Sequence, residues 1–272
     1  MSIARKEAIH RRRRIILNDD AYELQDPNAH SEAGFLDACF GHILDTQIDS
    51  IWWSFIMNSD RLGYNTKVGD VAGKIPVPGS PKKDLESWAT VWNNISSFIE
   101  RGTDPLKFIC DWGHGVGREV FASFRMNMVQ DSWRPNFNTQ WKRDHPEYCL
   151  GERGMLTNSD NPDEQLCWSA LDWEHQAVRD QRFALIDEIC SGYDVDGMEL
   201  DFWRWPVFFK PTMYHEPVEQ KHIDMMTDFM RKTRNRMMEI DAERDRPLIL
   251  APRVFDTLEI NRRMGLDVET WL

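Results

Sequence analysis

Two carboxylates stand close together in an otherwise apolar stretch of the chain, "DVDGMELDFWRWP" at residues 194–206. Glu199 and Asp201 are two residues apart, and this spacing places both side chains on one face of a β-strand because side chains alternate along a strand. The residues between and beside them are apolar and share the opposite face. Ionised carboxylates are costly to bury without partners. The stretch therefore predicts either a braced structural pair or a catalytic pair.

Paired carboxyl groups suit acid/base chemistry. Two carboxyl groups in contact push their pKa values apart, which leaves one protonated and the other ionised. We assign Asp201 and Glu199 as the candidate catalytic residues. The structural alternative is a buried carboxylate that is held by an arginine, and Arg125 and Arg253 are the available cations.

Polar and aromatic residues follow the ends of several predicted strands. Arg125 and Asn127 share one face of "EVFASFRMN", and Asp19 or Asp20 follows the first strand in "LNDDAY". His145 lies in the loop segment "RDHPEY". Aromatic rings in loops offer stacking surfaces for sugars. The predicted substrate-binding residues are Arg125, Asn127, Trp203, Arg204, Trp205, Asp19, Asp20, His145 and Arg253.

Five strand-like segments alternate with helical ones and predict βα units around a parallel sheet. The strands are "RIILN", "DSIWWSF", "REVFASFRMN", "DGMELDF" and "PLILAPRV". No glycine-rich phosphate loop follows the first strand. Polar residues just past the strand ends favour a (β/α)8 TIM barrel, whose strand ends converge on one mouth. We therefore predict a single barrel domain over residues 1–272.

The predicted barrel is incomplete. A closed barrel needs eight strands, and this chain provides about the first five βα units before it stops at "GLDVETWL". In many barrels of this type, a second carboxylate lies on a late strand. If that strand lies beyond residue 272, we expect the 272 residues alone not to hydrolyse aryl glycosides.

Composition limits the classes of partner. The net charge of −12 argues against a nucleic-acid surface. The basic run Arg11–Arg14 predicts a solvated lead-in to the first strand, and no signal peptide or membrane span is recognisable, so the default location is the cytoplasm. Five widely spaced cysteines without a CxxC pattern predict reduced thiols. The proposed chemistry needs no cofactor, and no HxH or HExxH spacing predicts a metal site.

The sequence "LDWEHQAVRDQRFALIDEICSGYDVDGMELDFWRWP" resembles the family-10-like glycosyl hydrolases, a group of bacterial glycosyl-hydrolase-like TIM barrels. "EVFASFRMN" and "HPEY" are similar to the third strand and following loop of that group. The resemblance covers roughly residues 14–272, and the fourth-strand motif is its most specific part. It implies a carbohydrate-active barrel that takes part in carbohydrate metabolism. It also implies that Asp201 is the acidic residue that ends the fourth strand.

Related barrels limit the comparison. In the DGxDxDxE strand of family-18 chitinases, the acidic places correspond to Asp196, Glu199 and Asp201, but Trp203 stands where the catalytic acid belongs. This departure argues against chitinase chemistry. Asp201 also falls on the nucleophile place of the DGxWxD motif of family-31 glucosidases. These resemblances imply glycoside hydrolysis, with Asp201 as candidate nucleophile or stabilising carboxylate and Glu199 as its acid/base partner or a substrate-binding group.

Two other functions stay open at the level of sequence. One is a non-catalytic carbohydrate-binding barrel with the same tryptophans and arginines. The other is a metal-dependent isomerase- or lyase-like barrel that uses Glu199, Asp201 and a histidine such as His145.

Overall fold

The computed structural model describes residues 3–58, 60–73, 82–155, 164–244 and 246–272. Its central sheet has five parallel strands in the order β1-β2-β6-β7-β8. These strands are β1 (Ile16–Asp19), β2 (Ser50–Ser54), β6 (Glu119–Arg125), β7 (Gly197–Asp201) and β8 (Ile249–Arg253). A small second sheet contains β3 (Ile56–Asn58), β4 (Arg61–Leu62) and β5 (Asp70–Val71).

Helices follow the strands of the central sheet. They are α1 (Ile3–His10), α2 (Glu32–Phe40), α3 (Lys82–Glu100), α4 (Pro105–Gly115), α5 (Gln140–Asp144), α6 (Gln176–Gly192), α7 (Lys210–Met213), α8 (Gln220–Arg244), α9 (Leu258–Arg263) and α10 (Val268–Trp271). Side chains on one face of the strands, such as Ile51, Val120 and Leu200, are fully buried in the main hydrophobic core. That face is the one covered by the helices, so the opposite face is the place for polar groups.

The five predicted strands and their parallel arrangement are confirmed. The small sheet β3-β4-β5 and helix α1 were not predicted, because their apolar runs are too short to show a clear period. Most of the predicted loop "GKIPVPGSPKKD" falls at residues 74–81, outside the described residues. Within the described residues the central sheet has β1 and β8 at its edges, so closure into an eight-stranded barrel stays a prediction.

The central sheet is strongly curved. In a flat sheet, β1 and β7 would lie about 14 Å apart, three strand spacings. Asn18 of β1 nevertheless donates a hydrogen bond of 2.9 Å from Nδ2 to Oε2 of Glu199 on β7. Arg253 of β8, the far edge strand, lies 3.4 Å from Asn18 through Nη1 and Oδ1. Side chains from both edges therefore meet over the concave face.

Aromatic rings form the floor of this concave face. Trp52 and Phe121 stack with ring centroids 4.8 Å apart. A Cβ atom on Gly197 would lie 2.2 Å from the Phe121 ring, so glycine is required where the ring crosses β7. A cavity of about 460 Å³ opens on this side, with mostly apolar walls that include Trp52, Phe121 and Ile249. The part of the concave face beneath the carboxylates is therefore mostly apolar.

Three of the four arginines in the N-terminal basic run, Arg11, Arg12 and Arg14, are exposed, which agrees with a solvated lead-in to the first strand, but the run is also held by ion pairs. Arg13 donates to both carboxylate oxygens of Glu119 at 2.7 and 2.8 Å. Arg14 pairs in the same bidentate way with Asp49. Bidentate pairs fix geometry as well as charge, so this run fastens the chain to the beginning of the sheet.

The long segment after β6 is anchored by a buried ion pair. Lys142 Nζ lies 2.9 Å from Asp131 Oδ1, and both side chains are almost fully buried. Burial lowers the pKa of Lys142, but the neighbouring charges, led by that of Asp131, and the hydrogen bond to Asp131 together outweigh burial and raise it. This pair ties α5 to the turn that leaves β6, and so holds the loop beside the strand ends.

Candidate active site

The register of the sheet places the predicted carboxylates on its concave face. Glu199 lies beside Ser123 and Asp201 beside Arg125 on β6, while Asp201 also lies beside Arg253 on β8. Successive inward residues on one strand are two apart. The predicted pairing of Glu199 and Asp201 on one face therefore agrees with the register, with Asp201 closer to the ends of the strands.

Glu199 is the more deeply placed carboxyl group, and 2% of its surface is exposed. Burial raises its pKa, and the nearby charge of Asp201 raises it further. Hydrogen bonds from Ser123 and Asn18 lower the pKa without cancelling the effect of burial. No arginine contacts Glu199 among the described residues, so its protonated form is favoured in comparison with a free glutamate.

Asp201 has a different set of partners. Its Oδ1 accepts backbone N–H bonds from Trp203 at 2.9 Å and Arg204 at 3.0 Å. Its Oδ2 lies 3.6 Å from Nη1 of Arg253. Every one of these partners is a donor, which matches a carboxylate acceptor. The two backbone bonds also hold the start of the loop that carries the predicted tryptophans.

The two tryptophans after β7 are placed differently from each other. Trp203 is 49% exposed, and the Arg253 guanidinium lies 5.2 Å from the centre of its ring. Trp205 is half-buried and packs against both the main hydrophobic core and a second, smaller hydrophobic cluster. The Arg204 guanidinium lies 5.2 Å from the centre of the Trp205 ring. The φ angle of Trp205 is 54°, which is strained for a bulky side chain. Trp203 is therefore the ring that solvent reaches.

Three consecutive residues at the end of β1 point to three different places. Asn18 reaches Glu199, whereas Asp20 forms an ion pair with Arg125 at the mouth. Asp19 lies beside Trp53 in register and faces the helices, where its Oδ1 accepts a bond from Ala21 N. Asp19 therefore does not join the mouth, because strand alternation sends it to the other face.

Asp19 is nevertheless an unusual carboxyl group. It is 5% exposed, and burial raises its pKa to about 7. The carboxyl groups of Glu23 and Asp20 raise the pKa further, and the bond from Ala21 N lowers it. Glu23 lies within hydrogen-bonding contact of Asp19. This pair is a feature of the β1 turn on the helix-facing side and is separate from the concave face.

Asn127 has a bracing role in this structure. It is fully buried, and its Nδ2 donates to the backbone oxygens of Leu171 and Val207. Its Oδ1 accepts bonds from the backbone N–H groups of Met128 and Leu171. These four bonds use the hydrogen-bonding capacity of the amide. Asn127 therefore ties three loops together and offers no group to a sugar.

His145 is not brought to the carboxylates. Its Nδ1 lies 3.1 Å from Oε1 of Glu147, and its ring stacks on Tyr148 with centroids 4.9 Å apart. Among the described residues, no group of three histidine, cysteine, aspartate or glutamate side chains is placed to hold a metal ion. The metal-dependent alternative therefore lacks its histidine ligand at this site.

Sequence reasoning left two residues of this site out of the candidate set. Asn18 and Ser123 both hydrogen-bond to Glu199. Ser123 was recognisable from its place on the inward face of the third strand, two residues before Arg125. The contact from Asn18 was not recognisable, because a sequence pattern does not show how far a sheet curves.

Comparisons with known proteins give solved structures only. No protein-family model and no curated protein matches the chain. Among solved structures, the chain is similar to the galactosidase domain of an alpha-galactosidase-sucrose kinase, with 13% identity and a TM-score of 0.42. It is also similar to an Anoxybacillus alpha-amylase, with 15% identity and a TM-score of 0.47, and to a Paenibacillus thiaminolyticus alpha-L-fucosidase, with 12% identity and a TM-score of 0.42.

These alignments cover most of this chain and at most half of the others. They include 90%, 93% and 88% of this chain, and 27%, 50% and 32% of the galactosidase, amylase and fucosidase chains. The structures reported are thus of glycoside hydrolases, at identities too low to transfer chemistry. In the described part of this chain, no helix is long and apolar enough to cross a bilayer.

Proposed function

We propose that this chain is a carbohydrate-active protein of glycoside hydrolase type, built on a barrel like that of the family-10-like glycosyl hydrolases. The observation that supports it best is the contrast within one strand. Glu199 is buried with a raised pKa, while Asp201, two residues nearer the mouth, is faced by donors alone. A buried carboxyl group with a raised pKa suits the role of general acid, and a carboxylate held by donors suits that of nucleophile or stabilising charge.

In the proposed reaction, Glu199 donates its proton to the glycosidic oxygen as the bond to the leaving sugar breaks. Asp201 faces the anomeric carbon and acts as nucleophile or as the charge that stabilises the oxocarbenium-like transition state. Arg253 and Arg125 lie at the same end of the sheet and bind hydroxyl or carboxylate groups of the substrate. Trp203 offers an aromatic face for ring stacking.

A non-catalytic carbohydrate-binding barrel is the second candidate, and one observation favours it. Arg253 lies over the Trp203 ring and near Asp201 at once. This placement braces the carboxylate, as a purely structural arginine would. Under this alternative the same residues bind sugar, and no bond is cleaved.

Product analysis on a panel of oligosaccharides separates the two candidates. We expect a protein in which this sheet is completed to a closed barrel to release shorter sugars, and Asp201→Asn and Glu199→Gln in that protein each to slow the release by at least about 100-fold. The 272 residues alone are expected to release none if the second carboxylate lies beyond residue 272. Asp228→Asn changes an exposed carboxylate on α8 and is the matched control. Equal hydrolysis by wild type and Asp201→Asn would contradict the hydrolase proposal. Binding by calorimetry without any product would favour the second candidate.

A further inference from the structure

The amide of Asn18 has an orientation that its two neighbours determine. The Arg253 guanidinium contains only donors, so the atom that faces its Nη1 at 3.4 Å must be the amide oxygen, Oδ1. The amide nitrogen, Nδ2, then faces Oε2 of Glu199 at 2.9 Å. The usual ambiguity between amide oxygen and nitrogen is thus resolved by the chemistry of the guanidinium.

This orientation has a consequence for the proton on Glu199. An amide nitrogen only donates, so the Glu199 oxygen that it contacts accepts. In a neutral carboxyl group the carbonyl oxygen is a better acceptor than the hydroxyl oxygen, so this contact favours the proton of a neutral Glu199 on the other oxygen, Oε1. The second hydrogen-bonding partner of the carboxyl group, the Ser123 hydroxyl, both donates and accepts. Ser123 is thus compatible with either protonation state, whereas Asn18 distinguishes between the two oxygens.

We propose that Asn18 is a positioning residue that keeps the Glu199 proton on Oε1. Asn18 acts from β1, across the concave face, on a carboxyl group of β7. The inference rests on the proposed function in one respect, because there this proton is the one delivered to the glycosidic oxygen. Asn18 itself touches Glu199 and Arg253, and not the bond that breaks.

The residue type at position 18 is significant in this arrangement. The two residues that follow are aspartates, so the strand end "NDD" has an amide only at the position that contacts Glu199. An aspartate of the same size at position 18 would place a third carboxylate beside Glu199 and Asp201. It would also remove the donor that determines which Glu199 oxygen is protonated.

The test is a pH titration of Glu199 in the full chain. The titration is monitored by NMR, with the glutamates labelled with 13C at the side-chain carboxyl carbon. The Glu199 signal is identified as the one missing from Glu199→Gln. In Asn18→Asp we expect the titration midpoint to rise by about one pH unit, because a donor is lost and a like charge is gained. In Asn18→Leu, which loses only the donor, we expect a smaller rise.

Asn18→Leu distinguishes positioning from a merely structural role, because it removes the donor without adding a charge, whereas the new carboxylate of Asn18→Asp raises the midpoint by its charge alone. Asn65→Asp changes an exposed asparagine and is expected to leave the midpoint unchanged. Asn18 is itself exposed as a residue, and a thermal melt verifies that each variant is folded. An unchanged midpoint in folded Asn18→Leu would overturn the inference. A raised midpoint in Asn18→Leu, in a protein that cleaves no sugar, supports Asn18 as positioning Glu199 and rejects the hydrolase proposal alone.

Discussion

The carboxylates at the two ends of strand β7 have opposite surroundings. Just before the strand, Asp196 lies 2.8 Å from His114 Nε2 and 3.4 Å from Arg246 Nη1, and it accepts a bond from Val120 N. Asp194 is paired with His114, Arg244 and Arg246. At the other end, Glu199 and Asp201 are more deeply buried, and within the described residues the ion pair they form is that of Asp201 with Arg253 at 3.6 Å.

This difference is the reverse of what stability alone would produce. Burial makes an unpaired charge more costly, so the most buried carboxylates would be expected to have the most cations. Here the cations gather around the exposed end. Departures of this kind are typical of functional sites, and in α/β barrels the functional end is the carboxyl end of the strands. The beginning of β7 therefore serves stability, and its end is the candidate for chemistry.

Among the carboxylates of β7 and its flanks, the largest loss of stability is expected at the beginning of the strand. Asp196→Ala leaves the Val120 N–H, the His114 ring and the Arg246 guanidinium without their carboxylate, so we expect the free energy of unfolding to fall by about 3 kcal/mol. Urea unfolding measures the change. Asp194→Ala, at a side chain that is 58% exposed, is the comparison and should cost about 1 kcal/mol or less. Equal costs for the two variants would remove the distinction between them.

Whereas Asp196→Ala is expected to lower the free energy of unfolding, Glu199→Gln is expected to raise it at high pH. The pKa of Glu199 is raised by burial in the folded state, so its protonated form favours folding. That contribution is complete below the pKa of the unfolded chain and is lost as pH rises through the folded pKa. Within this window, wild-type stability falls by about 1.4 kcal/mol per pH unit relative to the glutamine variant.

Thermal melts between pH 4 and pH 8 test whether Glu199→Gln becomes more stable than wild type as the pH rises. We expect Glu199→Gln to match wild type at the acidic end and to melt at a higher temperature at the basic end. Glu239→Gln, at an exposed position of α8, should follow wild type throughout. A glutamine variant that is less stable than wild type at pH 8 would show that ionised Glu199 is as well satisfied as Asp196.

Sugar binding by a Trp203 variant tests whether the carboxyl end of β7 is a binding site. Its ring is half exposed, so Trp203→Ala should weaken sugar binding by about tenfold, the loss expected for one stacking contact. Its melting temperature should stay close to that of wild type. Trp173→Ala is the control, because Trp173 is fully buried and its removal should cost about 3–5 kcal/mol of stability. Unchanged affinity in Trp203→Ala would exclude this ring from the site.

The smallest effect is expected for Asp20→Ala. The Asp20 side chain is 49% exposed although its partner Arg125 is buried. Ion pairs with an exposed partner contribute about 1 kcal/mol or less, and the free energy of unfolding should fall by no more than that. The loss should shrink in high salt, which screens exposed charges. A loss as large as that of Asp196→Ala would show that the mouth also depends on its ion pairs for stability.

Much of the fold was predictable from local patterns in the sequence. Apolar runs separated by helical segments predicted the five strands and their parallel order, because hydrophobic periodicity is a local property. The alternation of "GMELDF" predicted that Glu199 and Asp201 share a face. The small sheet and α1 were missed, because their short elements are stabilised by contacts with distant parts of the chain.

The sequence by itself determined which residues are able to do chemistry here, namely two carboxylates on one face of a strand, followed by arginine and tryptophan. The tertiary structure alone decided which of the other candidates reach them. Curvature of the sheet brings Asn18 onto Glu199, whereas alternation turns Asp19 to the helices and loop packing occupies Asn127 and His145. The reason is physical, since the spacing of residues along a chain fixes the direction of a side chain only within its own strand. The distance between strands that are not neighbours depends on how the whole sheet bends.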